Sequence, residues 1–151
     1  MLEQAIALAV EQHRGQVDKA GQPYILHPLR VMAAVSGETA QIVAVLHDVV
    51  EDCNITFADL RARGFTEEII VALDGVTRRD NETYDEFITR SGQNPFSRQV
   101  KLADLQDNMD IRRLPIELTD KDISRLQRYR YAWAMLTQAE TDTTSIHDSL
   151  F

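Results

Sequence analysis

Residues 45–53 read VLHDVVEDC, and how this stretch is read decides the fold. Ile42, Val43, Val45, Leu46, Val49 and Val50 cover most of the circumference of a helix over residues 39–52, the pattern of a helix buried nearly all round. His47, Asp48, Glu51 and Asp52 interrupt it. Spacings of four place Glu51 beneath His47 and Asp52 beneath Asp48, so the polar groups form one stripe. Carboxylates crowded at a helix C-terminus oppose the backbone dipole, and buried without partners they would tend to protonate. A divalent cation resolves both conflicts, because His nitrogen and carboxylate oxygen suit a borderline or hard metal. An exposed acidic stripe satisfied by water or arginine is the competing reading of this helix taken alone.

Outward from this helix the chain reads as a series of helices. Leu2, Ala5, Ile6, Ala9, Val10 and His13 follow the helical period, and Gly15 helps to end that first helix. Residues 14–28, RGQVDKAGQPYILHP, carry the Gly and Pro punctuation of an ordered loop. A second helix is expected from Pro28 through Val35, and a break over 36–38 separates it from the third. Short helices follow over 56–63, with Thr56 as cap, and over 66–75, with the capping pattern TEEI. RRDNET at 78–83 connects them to a helix over 84–90. Long helices are expected over 96–113 and 119–140. No repeat and no alternating strand pair is present, so the fold class is all-α, one domain over 1–140 with a polar C-terminal tail over 141–151.

The 151 residues suffice for one buried core. Apolar residues make up 44% and charged residues 26%, which argues against wholesale disorder. A net charge of −8 gives no general affinity for nucleic acid or for a membrane surface, so a phosphate-bearing ligand needs a local feature to hold it. The N-terminal segment lacks a basic region before its apolar residues, and no apolar run is long enough to cross a bilayer; the chain reads as cytoplasmic. Cys53 is the single cysteine, which excludes an internal disulfide and fits a reducing compartment. Its ordinary role is that of a small hydrophobe. The sequence is compatible with a homo-oligomer but names no interface for one.

Two further residues complete a ligand set. His27, in YILHP, stands at a loop-to-helix junction, and Asp104, in VKLADLQDN, sits among the apolar residues Val100, Leu102, Ala103 and Leu105. His27, the adjacent pair His47 and Asp48, and the distant Asp104 resemble the pattern of the HD superfamily of metal-dependent phosphohydrolases. HRGQVDKAGQPYILHP, VAVLHDVVEDC, DGVT, TYDEFI and VKLADLQDN resemble, more narrowly, the hydrolase domain of the RelA/SpoT family and its small stand-alone alarmone hydrolases. The similarity spans about residues 1–139.

The resemblance implies an HD-domain helical bundle with a metal site between helices, holding one manganese ion through His27, His47, Asp48 and Asp104. It implies removal of the 3′-pyrophosphate of guanosine tetra- or pentaphosphate by metal-activated water. Glu51 and Asp52 are then the candidate catalytic carboxylates. Their competing role is support for His47 and Asp48. Lys19 matches a family position that meets the phosphates, and Asn108 one that contacts the nucleotide.

Asp18 departs from the pattern, since the small alarmone hydrolases usually carry there an Arg that packs on guanine. Leu105 departs too, where many relatives place a cation. Asp18→Arg is accordingly expected to improve use of guanine alarmones. A phosphohydrolase of another nucleotide or phosphorylated metabolite is the alternative function, and an inactive nucleotide-binding regulatory module is the second alternative. The hydrolase-like region nearly consumes the chain, which leaves no room for the family's synthetase domain.

Overall fold

A computed structural model describes the backbone of residues 1–148 and the side chains of residues 1–138. The helices are α1 (Leu2–Gln12), α2 (Leu26–Ala33), α3 (Glu38–Leu46), α4 (Val49–Asp52), α5 (Phe57–Ala62), α6 (Glu67–Val76), α7 (Tyr84–Ser91), α8 (Pro95–Asn108) and α9 (Asp120–Asp148). A 3-10 turn at Ile111–Arg113 joins the last two. Among the described residues the only extended pairing is an isolated bridge between Val17 and Pro23. The all-α expectation holds.

α3 lies at the centre, packed by α1, α2, α6 and α8. Ala40 and the run Ile42, Val43, Ala44, Val45 and Leu46 are all buried, so this helix is apolar on every side, as its sequence required. Leu8 and Ala9 of α1, Val31 of α2, Ile69 and Leu73 of α6, and Val100 of α8 close around it. Burying each such Ile, Leu or Val is worth roughly 1.5–3 kcal/mol. A second cluster joins Phe87 and Ile88 of α7, Leu105 of α8, and Ala132 and Leu136 of α9.

α8 carries functional residues and is fixed against α6 by a close approach. A Cβ at Gly75 would lie 2.8 Å from Ser97 Cβ and overlap its hydroxyl. Ser97 Oγ donates to Ala72 O at 2.7 Å, and Ser91 Oγ donates to Gly75 O at 2.7 Å. Glycine therefore sets the α6–α8 distance, with Ser97 of α8 and Ser91 of α7 each satisfying a carbonyl of α6.

The structure corrects several boundaries. The helix expected over 39–52 is broken: α3 stops at Leu46, the chain turns at His47 and Asp48, and α4 restarts at Val49. Asp48 adopts φ −93°, ψ −9°, and the His47 ring pairs with Ala44 O at 2.7 Å, giving that end carbonyl a side-chain partner. The helix expected over 96–113 likewise divides after Asn108, where the Asp110 carboxylate caps the 3-10 turn by accepting from Arg112 N. α2 begins at Leu26, not Pro28, with the proline still in the first turn, where it lacks no needed donor. α9 runs to Asp148, past the expected end at Glu140. The rest of the expected polar tail, 149–151, lies outside the described residues, as do the side chains from 139 onward. Thr56 and Thr83 form complete capping boxes with Asp59 and Glu86, whereas Thr66 caps α6 without a side-chain bond.

Candidate metal centre and active site

Three separate pieces of chain bring four donor residues together: donor atoms of His27, His47 and Asp104 all lie within 4.8 Å of one another, and Asp48 joins them beside the two histidines. The first turn of α2 presents His27, the α3–α4 corner presents His47 and Asp48, and the third turn of α8 presents Asp104. The Nε2 atoms of His27 and His47 are 3.3 Å apart. Asp104 Oδ1 lies 3.3 Å from the first and 3.6 Å from the second. Asp48 Oδ2 lies 3.6 Å and 3.1 Å from the same two nitrogens. His27, His47 and Asp104 are buried, and Asp48 is nearly so.

Each donor side chain is tied down by a neighbour, on its outer atom for the two histidines and also on the inward-facing oxygen for Asp48 and Asp104. His27 Nδ1 pairs with Asp107 Oδ2 at 2.6 Å and His47 Nδ1 with Ala44 O at 2.7 Å, which fixes both rings with Nε2 facing inward. Lys101 Nζ donates to Asp104 Oδ2 at 2.8 Å, and Asn108 Nδ2 donates to Asp104 Oδ1 at 2.7 Å. Tyr24 Oη donates to Asp48 Oδ2 at 2.6 Å.

The electrostatics show what the cluster lacks. Burial works against a charged His27, yet hydrogen bonds to Asp104 and Asp107 outweigh it and raise its pKa to about 9. His47 is raised for a similar reason: burial opposes its charged form, and Asp48 and Asp104 prevail. Burial opposes charge on Asp104 as well, but Lys101 and both histidines hold it well below the usual carboxylate range. The surrounding carboxylates thus favour positive charge at this point, and a divalent cation bound here would compete with protons for the two imidazoles. Two imidazoles and two carboxylates, oriented inward by outer partners, fit a borderline or hard divalent ion.

Residues 5–144 match the family model described as HD domain. The chain belongs to the HD-domain family. The HD-domain chain is 35% identical over 125 residues to a guanosine-3′,5′-bis(diphosphate) 3′-pyrophosphohydrolase of Vibrio cholerae, covering 80% of this chain and 17% of that protein. It is 36% identical over 121 residues to a GTP pyrophosphokinase of Streptomyces coelicolor, covering 72% of this chain and 14% of that one. The chain thus spans about a sixth of the length of these curated relatives. Among solved structures it is similar in fold, with TM-score 0.70 and 23% identity, to a metazoan ortholog of SpoT that hydrolyzes ppGpp. That similarity covers 89% of this chain and 84% of the other.

Beside the HD centre opens a cleft of about 360 Å³, with His27 in its wall. Lys19 and Asn108, both expected to meet substrate, line it. Asn108 also holds Asp104, so one side chain serves ligand and cleft together. Arg30, Arg113 and Arg125 line the cleft as well, but each faces a carboxylate: Arg30 and Arg113 meet Asp107 at 2.8 Å and 3.1 Å, and Arg125 meets Asp122 at 3.8 Å. Asp18 is in the wall too, where its Oδ1 accepts from Ala20 N and Gln22 N at 2.9 Å each. The carboxylate is therefore the closing element of the loop that presents Lys19. Leu105 is fully buried in the α7–α8–α9 cluster, so its departure from the family pattern removes no charge from the cleft.

Glu51 and Asp52 sit on the short α4, one turn past the HD pair, exposed and with no hydrogen bond to either carboxylate among the described residues. Burial pushes the Glu51 carboxyl above its usual range, and the charge of Asp48 adds to this. Asp52 is raised by the same two causes in the same order. Both are suited to hold and release a proton. Cys53 is half-buried, 3.7 Å from Gln12 O, and burial raises its thiol pKa, as befits a packing residue rather than a nucleophile.

Sequence reasoning missed Tyr24, Arg30, Lys101 and Asp107. Each stands three residues from an expected ligand, His27 or Asp104. That spacing was the available signal.

Proposed function

We propose that this HD-domain chain is a manganese-dependent phosphohydrolase that removes the 3′-pyrophosphate of guanosine tetra- or pentaphosphate, leaving GDP or GTP. One observation carries the reading: the inward atoms of His27, His47, Asp48 and Asp104 converge at the wall of a nucleotide-sized cleft. These four residues would hold the ion. When bound, it supplies a water acidified toward neutral pH and withdraws charge from the phosphoryl group. The names of the Vibrio cholerae relative and of the SpoT ortholog support the substrate.

The chain's own residues divide the remaining tasks. Lys19 offers a mobile cation to the phosphates, and Asn108 keeps Asp104 in place while facing the nucleotide. Tyr24 fixes Asp48 by donating to Oδ2, the same oxygen that faces the two histidines. Glu51 and Asp52, raised above ordinary carboxylates, take the proton of the attacking water and return one to the departing ribose 3′ oxygen. A cytoplasmic setting agrees with the free Cys53, and no helix among the described residues is long and apolar enough to cross a membrane.

A second reading keeps the chemistry and changes the base. Asp18 puts a carboxylate in the cleft wall, where a different nucleotide or a phosphorylated dinucleotide could be preferred. The test is a substrate panel on metal-free protein reconstituted with manganese, comprising guanosine tetraphosphate, other phosphorylated nucleotides and NADPH. Pyrophosphate and GDP released fastest from the alarmone are the expected products. Faster turnover of another compound would move the specificity to the second reading.

A further inference from the structure

The cleft arginines are neutralised, yet the substrate proposed above carries two diphosphates. Arg30, Arg113 and Arg125 each share charge with an aspartate. Two other arginines do not: among the described residues, Arg78 and Arg128 pair with no carboxylate and instead stack on the Tyr84 ring, 5.8 Å and 5.0 Å from its centroid. Arg128 also lies 5.6 Å from the centroid of Tyr129, a residue of the cleft wall. Aromatic faces hold a guanidinium in place without cancelling its charge, so both keep their donors available.

A third group points the same way. The Tyr84 hydroxyl is buried and has no hydrogen-bond partner. Such an orphan is costly and calls for an explanation. Tyr84 is within electrostatic reach of Lys101, Arg128 and Asp104, and Lys101 donates to Asp104 at 2.8 Å. Lys101 also sits 5.0 Å from the Phe87 ring centroid, and Tyr84 and Phe87 pack edge to face. The stacked arginines and the orphan hydroxyl therefore lie on the side of Asp104 where Lys101 holds it. They stand at the α7–α9 side of the centre.

We propose that Arg128 and Arg78, with the Tyr84 hydroxyl, form a diphosphate-binding subsite beside the HD centre. Arg128, between the cleft wall and Tyr84, is its principal donor. A bidentate guanidinium suits phosphate oxygens, and a hydroxyl freed of protein partners can donate to one. The ligand is either free pyrophosphate or the terminal diphosphate of a nucleotide, which share this chemistry. The subsite deepens the proposed reading and depends on it only for the identity of the nucleotide.

Calorimetric titration of manganese-loaded protein with inorganic pyrophosphate tests it, alongside GMP and manganese titrations. Arg128→Gln is expected to weaken pyrophosphate about tenfold or more, with Arg128→Lys recovering part of the loss, while manganese and GMP affinities hold. Tyr84→Phe is expected to weaken pyrophosphate severalfold without lowering the Tm, because the hydroxyl makes no protein bond. Undiminished pyrophosphate binding in Arg128→Gln, an equal loss of GMP binding, or no measurable pyrophosphate binding by the unaltered protein would overturn the subsite. Arg128-dependent pyrophosphate binding in a protein that fails to hydrolyse the alarmone would keep the subsite and overturn the substrate instead.

Discussion

Replacing Asp107 by asparagine tests whether the HD centre is held from outside. The Asp107 carboxylate accepts from His27 Nδ1 at 2.6 Å, from Arg30 Nε and Nη2 at 2.8 Å and 3.1 Å, and meets Arg113 at 3.1 Å. Burial opposes its charge, but His27 and Arg30 outweigh that and bring its pKa to about 2. An amide keeps the shape and loses the charge. It can still accept from His27, so the ring is not released, but the imidazole becomes less basic. Loss of such an outer partner typically lowers metal affinity about 10–100-fold, which is roughly 1.4–2.7 kcal/mol.

The arginines contribute less to the effect. Each is about one-third exposed, so solvent screens most of what their pairing is worth, and about 1 kcal/mol of folding stability is the expected loss from that side. The assay is a manganese titration of metal-free protein followed by the free-ion electron paramagnetic resonance signal, with the Tm measured in parallel. A tenfold or greater weakening of metal binding at a Tm lowered by only a few degrees is expected. Unchanged manganese affinity in a folded Asp107→Asn protein would refute the role of Asp107 in orienting His27.

The metal-free protein should respond to pH through His27. Its pKa rises from 6.5 unfolded to about 9 folded, so the protonated form stabilises the fold by ~3 kcal/mol, fully below pH 6.5 and progressively lost as pH rises through 9. Chemical denaturation of metal-free protein at pH 6 and at pH 9.5 is expected to show lower stability at the higher pH; equal stability would remove the cluster's charge argument. Gly75→Ala should cost about 1–3 kcal/mol by pushing Ser97 and α8 away from α6, read as a lowered Tm, despite alanine's better helix propensity. At Asp18, the asparagine variant keeps an acceptor for Ala20 N and Gln22 N and removes a repulsive charge, so a severalfold lower KM is expected. Asp18→Arg gains a cation but loses the turn that presents Lys19, and any improvement with guanine alarmones should be smaller than for Asp18→Asn.

That His27, His47, Asp48 and Asp104 come together was legible because it needed only residue types and rough spacing. A His–Asp pair inside an apolar helix announces an unmet charge wherever the helix ends. The break at His47–Asp48 was not legible, since continuous helical periodicity through Val49 and Val50 hides a corner that a side-chain bond to Ala44 O stabilises. The end of α8 at Asn108 was hidden in the same way, because the Asp110 cap depends on where Arg112 and Arg113 fold back. Asp18 looked like a substituted base-stacking position and proved also to close its loop. Leu105 looked like a lost cation and proved to be core, because only packing tells which face of α8 it occupies. The outer partners Tyr24, Lys101 and Asp107 required the three-dimensional arrangement. Each reads as a solvent-facing side chain until Asp48, Asp104 or His27 is placed beside it.

The most direct measurement is hydrolysis of guanosine tetraphosphate by metal-free protein, with and without added manganese, for the unaltered chain and for Asp104→Asn. Equal amounts of GDP and pyrophosphate, formed only by the unaltered chain and only with manganese, are predicted. Turnover without metal, or undiminished turnover by Asp104→Asn, would contradict the assignment of this centre.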